Sequence, residues 1–182
     1  MITVMGLQLE NLDEKTRRFM LEELEHDVKS GKLYLSPRLS EQGRKDYEGL
    51  LRQAIQGAGN DVTLADSLRS GGRLRISEER DKRGGGVVIA KVPVTAAETL
   101  AEGEFNRFYI RGLCRRALED GIPELMVYRA KQVTNPRPES QNMIGTKVSA
   151  KNLLEDLRAH PGVDTALGLP AGPNSGLSVR LP

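Results

Sequence analysis

Apolar residues recur every three to four positions in several stretches of this chain, and each such stretch predicts a helix with one buried side. The first runs from about Asp13 to Ser30, where Thr16, Met20, Leu24 and Val28 stand four apart and Phe19 and Leu21 widen the stripe. Asn11 or Asp13 suits its N-cap, Asp13 and Glu14 lie at the positive end of its dipole, and Gly31 suits a left-handed C-cap. Lys32 to Ser36 reads as a short extended piece ended by Pro37. A second helix follows the N-cap Ser40 and reaches about Gln56, burying Tyr47, Leu50, Leu51, Ala54 and Ile55. Gly57 to Asn60 breaks it, and a third helix, Thr63 to Arg69, turns Leu64, Ala65 and Leu68 inward before Gly71 and Gly72 stop it. Residues 1–71 are therefore predicted to form a three-helix part.

Beyond Gly71 the pattern changes. Leu74 to Ile76 is extended, and residues 77–86 (SEERDKRGGG) offer nothing to bury, which predicts a mobile loop or hairpin tip. Val87 to Val94 reads as a strand, with Pro93 marking an edge or an end. Thr95 caps a helical turn to Ala101, and after Gly103 a well-patterned helix spans Glu104 to Asp120, closed by Gly121. Leu125 to Val133 alternates as a strand does, whereas Asn135 to Ser140, with two prolines, reads as irregular and exposed. Ser149 caps a last helix to His160 that turns Leu153, Leu154 and Leu157 inward. From Val163 the chain is rich in Gly, Pro and Ser. A strand at Leu177 to Leu181 closes it, and such a tail is mobile alone or ordered by docking on a partner. The expected class is α+β: the helical part packed with residues 72–182, which hold a few strands and two helices.

Composition narrows the field further. With 182 residues, 38% hydrophobic and 29% charged, the chain suits one domain or two small ones with a modest core. Its longest apolar run, Val87 to Ala90, is far below the ~20 residues of a membrane span, and Met1 to Leu9 has no basic start or cleavage site. No membrane association is therefore expected. A single cysteine forms no internal disulfide, which fits a reducing cytoplasm. The net charge of +2 is too small for a nucleic-acid or membrane signature, although residues 1–70 carry a net −2 and residues 71–182 a net +4.

Familiar chemistry is hard to find. His26 and His160 have no second His or Cys at ligand spacing, which argues against a structural zinc site. Cys114 has Arg111, Arg115 and Arg116 nearby in sequence but no base that sequence can assign to it. Gly84 to Gly86 precedes a strand, whereas phosphate-binding loops need glycines between a strand and a helix. Glu22, Glu23, Glu25 and Asp27 alternate with basic residues as a solvated face does, and Glu78, Glu79 and Asp81 are too exposed and charged to demand a divalent ion. No catalytic residue, cofactor or metal is expected.

The segment Glu104 to Leu118 carries the most information. At about 100° per residue, Tyr109, Ile110, Leu113 and Ala117 share an arc with Phe105 at its edge, while Arg107, Arg111 and Arg115 line the other side with Phe108 beside them. That ridge has three readings: a solvated face paired with Glu104, Glu119 and other acids, a protein interface, or a nucleic-acid contact in which guanidiniums meet phosphates and the ring stacks on a base. Arg107, Phe108, Arg111 and Arg115 are accordingly the candidate partner-binding residues, with Arg129, Lys131 and Arg137 as a possible extension of the basic surface.

Residues 96–121, together with VYRAK at 127–131 and PNSGL at 173–177, resemble small proteins from bacterial, phage and prophage genomes. The resemblance implies no activity and transfers no catalytic residue, but it favours a structural or assembly role. The expected function is non-enzymatic association with protein partners or with itself, with a component of a phage or phage-like particle as the form the resemblance favours, located in the cytoplasm or the virion. The alternative is a regulatory protein that binds nucleic acid through the arginine-lined helix.

Overall fold

The computed structural model describes residues 5–170 and 175–182. Helix α1 spans Glu14–Ser30, α2 Glu41–Gln56 and α3 Asp61–Arg69. Their starts follow from local chemistry: Asp13, Ser40 and Asn60 each accept a hydrogen bond from a backbone N–H in the first turn, and Asn60 forms a reciprocal capping box with Thr63. Gly31, at φ 67°, closes α1 in the left-handed conformation. Arg17 of α1 donates to the carbonyls of Ala54, Ile55 and Gly59 at 3.1, 3.2 and 2.7 Å, satisfying the C-terminal end of α2 with a charge of the right sign.

Strands β1 (Ser77–Asp81) and β2 (Val87–Lys91) form an antiparallel hairpin, so of the segment read as a mobile loop or hairpin tip the first half is a paired strand and the second half is the tip. Helix α4 is one element of 24 residues, Ala96–Glu119, and Gly103 does not interrupt it. Strand β3 (Glu124–Arg129) follows. Helix α5 (Pro138–Met143) lies where an irregular segment was expected, because Pro138 occupies the first helical position, the one place a helix accepts it. Strand β4 (Lys147–Ser149) leads into α6 (Ala150–Ala159), capped by Ser149, and β5 (Leu177–Arg180) closes the fold. The second sheet has the antiparallel order β4-β3-β5, with Leu125 opposite Val148 and Val127 opposite Val179. This is the α+β arrangement expected, with helices at the N-terminus.

Helix α4 is the centre. It packs on α1, α3 and α6 and meets β3 and β5, so one hydrophobic cluster joins Met20, Tyr47 and Leu64 to Leu125, Leu153 and Val179 across residue 71. Every residue from Glu104 to Cys114 is buried. The tail, expected to need a partner, is instead tied to its own chain. Asn106 donates to the Leu177 carbonyl at 2.8 Å and accepts from the Ser178 hydroxyl at 2.7 Å, and the Tyr109 hydroxyl donates to the Val179 carbonyl at 3.0 Å. Before it, Asp156 accepts from the N–H groups of Ala166 and Leu167. Residues 171–174 of that tail lie outside the described residues.

Helices α1 and α4 approach each other closely at Gly112. A Cβ added at Gly112 would stand 2.8 Å from the Met20 nitrogen and 2.6 Å from its Cγ. Only a hydrogen fits there, and both contacts are too short for any side chain. Gly112→Ala is expected to lower stability by about 1–3 kcal/mol, despite alanine's better helix propensity. Urea unfolding followed by circular dichroism, the chain having no tryptophan, would check this.

Candidate functional site

The close approach at Gly112 brings two rows of charge together. Glu23 and Asp27 stand one turn apart on α1, and Arg111 and Arg115 one turn apart on α4. Arg111 donates from Nε to Glu23 at 3.0 Å and from both terminal nitrogens to Asp27 at 2.7 Å each, a two-pronged guanidinium–carboxylate contact. Arg115 donates to Glu23 at 3.1 Å and to Glu22 at 2.8 Å. Arg158 of α6 adds two further bonds to Glu23, at 2.8 and 2.6 Å. Glu23, with no solvent exposure, thus accepts four hydrogen bonds from three arginines. Burial alone raises its carboxyl, but the Arg158 hydrogen bonds and the charges of Arg111 and Arg158 outweigh it and hold the group at about 2.

The candidate partner residues therefore point mainly inward. Arg107 is buried and donates to the carbonyls of Val163, at 3.0 Å, and His160. Phe108 is buried beneath the Arg111 guanidinium, 4.9 Å from its ring centre, and Arg111 is itself buried. Arg115 keeps partial exposure and stacks on Phe19 at 5.1 Å. The ridge is a salt-bridged face: Arg107 lies 4.0 Å from Glu104, and Arg111 and Arg115 pair with Glu22, Glu23 and Asp27 of α1, so that most of the face is internal. An outward contact through Arg107 or Arg111 would first break these bonds. Arg129 donates to the Ser175 carbonyl at 2.6 Å and to Gln141 at 3.0 Å, and Lys131 bonds Glu102 at 2.6 Å. Glu23 and Asp27, read from sequence as part of a solvated face, are buried. The matching four-residue spacing of acids on one helix and arginines on the other was the available signal, but nothing in sequence says which helices adjoin.

The reactive groups considered from sequence lie apart in character. Cys114 is fully buried, and burial followed by the Glu23 charge pushes its thiol far up, away from the nucleophilic thiolate. His26 and His160 sit at the surface beside Asp27 and Asp156. Among the described residues no three His, Cys, Asp or Glu side chains converge to hold a metal ion, and no helix is long and apolar enough to cross a membrane.

Two features face outward instead. One is the β1–β2 hairpin. Its register places Val87 opposite Asp81 and Ile89 opposite Glu79 on one face, with Arg80 and Val88, and Glu78 and Ala90, on the other. Glu78 anchors that second face to the body by accepting from Arg38 at 2.8 and 3.2 Å. On the first face Val87 and Ile89 keep 56% and 66% exposure, and Ile76 and Val94 flank the hairpin in the open. The second feature is a cavity of about 320 Å³ between the middle of α4, the segment Tyr34 to Arg38, and Val163, Asp164 and Pro170. No family model, no curated protein and no solved structure matches this chain.

Two outcomes are expected of the buried network. Arg111→Met leaves Glu23 and Asp27 short of their central cation and lowers stability by about 3–5 kcal/mol, read from denaturant midpoints. Because the Glu23 value falls from 4.5 to about 2 on folding, its contribution is complete above 4.5 and disappears as pH drops through 2. That limb is worth about 3 kcal/mol, and unfolding curves recorded across the acid range should show it in the wild type and lack it in Glu23→Gln.

Proposed function

We propose that this protein acts by self-association rather than by catalysis, with a second copy of the chain covering the β1–β2 hairpin. The observation that carries this reading is the outward face of β2, where Val87 and Ile89 stand in water on a two-stranded ribbon. Such ribbons are marginal alone and gain stability when further strands or a hydrophobic surface are added.

Charge selects the edge. Lys82 N–H donates to the Gly86 carbonyl and Val92 N–H to the Ile76 carbonyl, both at 2.9 Å. By the alternation of an antiparallel ladder, the outward backbone groups on β2 belong to Val87, Ile89 and Lys91, and those on β1 to Ser77, Glu79 and Asp81. Two-fold pairing of β2 centred on Ile89 sets Ile89 against its copy and Val88 against Ala90. The same operation on β1 sets Glu79 against Glu79, which like-charge repulsion disfavours. β2 is thus the self-complementary edge and β1 the guarded one.

The resemblance of residues 96–121, 127–131 and 173–177 to phage and prophage proteins supports placing such an assembly in a phage-type particle, made in the host cytoplasm and carried in the virion. Nucleic-acid binding draws less support, since the arginines proposed for it are engaged with Glu23, Asp27 and backbone carbonyls. Light scattering across a concentration series is expected to show dimers or larger assemblies for the wild type. The double variant Val87→Asp, Ile89→Asp should be monomeric with an unchanged circular dichroism spectrum. A wild type that stays monomeric throughout would remove the proposal.

A further inference from the structure

The cavity beside α4 has a carboxylate that the rest of the fold leaves unanswered. Glu104 lines it, its side chain keeps only 9% exposure, and its one ion partner among the described residues is Arg107 Nε at 4.0 Å, beyond hydrogen-bond reach. Arg107 directs its terminal nitrogens to the Val163 and His160 carbonyls instead. A buried carboxylate without hydrogen bonds is costly, and folded proteins seldom keep one without a use. Burial raises the Glu104 carboxyl to about 7; Arg107 and Arg111 oppose the rise and Asp27 adds to it. The Tyr47 hydroxyl of α2, fully buried with no hydrogen-bond partner among the described residues, also lies within the field of Glu104.

The surroundings add sign and shape. Four carboxylates line the cavity, Glu78, Glu102, Glu104 and Asp164, against two guanidiniums, Arg38 and Arg107. Arg38 is held by Glu78 and Lys131 answers Glu102, which leaves Glu104 and Asp164 against Arg107 alone, one net negative charge. Leu100, Pro37, Val163 and Pro170 supply apolar wall. Gly103 also lines it, in the interior of α4, where glycine costs about 1 kcal/mol relative to alanine. A Cβ there would meet nothing within 4 Å, so no close packing explains the glycine, and its missing side chain widens the cavity.

We propose that this cavity binds a small organic cation, an ammonium group on an apolar chain, with the ammonium donating to Glu104 and the chain lying against Leu100, Pro37 and Val163. A cation supplies what the carboxylate lacks, a charge-assisted hydrogen bond in a site shielded from water. A neutral ligand gains only the apolar contact, and an anion meets more carboxylates than guanidiniums. The volume suits a ligand of modest size.

Calorimetry on the full chain tests this with three probes of one shape: hexylamine, hexanol and hexanoate. At about pH 8, where Glu104 is ionised, hexylamine should bind at least about tenfold more tightly than hexanol (about 1.4 kcal/mol), and hexanoate should give no heat. Glu104→Gln should reduce hexylamine affinity to that of hexanol and leave hexanol unchanged. That variant stays folded, since it removes a buried charge. The Glu104 carboxyl is raised from 4.5 to about 7 on folding, so the cost of ionising it in the fold builds as pH rises from 4.5 and is complete above about 7, and Glu104→Gln should melt higher than the wild type at about pH 8. Gly103→Leu fills the cavity and should abolish binding of amine and alcohol alike with the fold intact. Equal affinity for hexylamine and hexanol, hexylamine binding unaffected by Glu104→Gln, no hexylamine binding at millimolar concentration, or full binding in Gly103→Leu would each overturn the proposal.

Discussion

The contact on which this fold depends is Arg111 seated between Glu23 and Asp27 where α1 and α4 touch at Gly112. The two parts of that joint require each other. Without the missing side chain at Gly112 the helices could not approach closely enough for a guanidinium to reach both acids. Without the acids, Arg111 would be an unpaired cation in the middle of the core, which no amount of neighbouring hydrophobic contact offsets. Buried ion pairs add little net stability compared with well-packed apolar residues, because desolvation consumes most of the attraction. What this one contributes is register. A slide of one turn along α1 would leave Arg111 with one carboxylate in place of two, whereas apolar side chains around it tolerate a slide far better.

Registering α1 on α4 sets the third partner as well. Glu23 has room for four hydrogen bonds, and Arg111 and Arg115 supply two of them; the others come from Arg158, so α6 is drawn to the same point. With α3 packed on α4 and β5 stitched to it through Asn106 and Tyr109, the central helix is covered from Ile110 to Cys114. Function must therefore be sought where the core does not reach, at the hairpin and at the cavity beside Gly103. Both lie close to the part of α4 that precedes Glu104, where its continuous burial begins.

Much of the architecture was legible from local chemistry. Asp13, Ser40 and Ser149 cap helices because a short polar side chain satisfies first-turn N–H groups wherever it stands, and this needs no knowledge of neighbours. The strand read at Leu177 to Leu181 is likewise present, as β5 over Leu177–Arg180. What stayed hidden was tertiary. An amphipathic helix is normally polar toward water, and on that rule Arg107 and Arg111 belong outside; the rule fails when another helix presents acids at the same spacing. Gly103 read as a break because glycine usually is one, yet α4 runs through it, stabilised by packing on both sides. The Gly- and Pro-rich tail looked unable to order itself, since its composition does not reveal that Asn106 and Tyr109, some 70 residues earlier, present buried hydrogen-bonding groups to it. The cavity was invisible from sequence altogether, because Glu104 is one of many glutamates and only its surroundings distinguish it.

The hairpin and the cavity are not independent surfaces. Glu78 belongs to β1 and also lines the cavity, and its contact with Arg38 is what anchors the ribbon to the body. A second copy covering β2 would hold the ribbon, and with it Glu78, in one position. A cation on Glu104 would change the field in which the Glu78–Arg38 pair sits. Any free energy by which one event alters the other must be reciprocated, and the pair is the one piece of the structure that both would touch. Its partial exposure leaves it able to adjust, unlike the Arg111 joint, whose complete burial fixes it. Two of the fold's ion pairs thus stand at opposite extremes, one that sets register and cannot yield, and one at the surface that joins two open features and can.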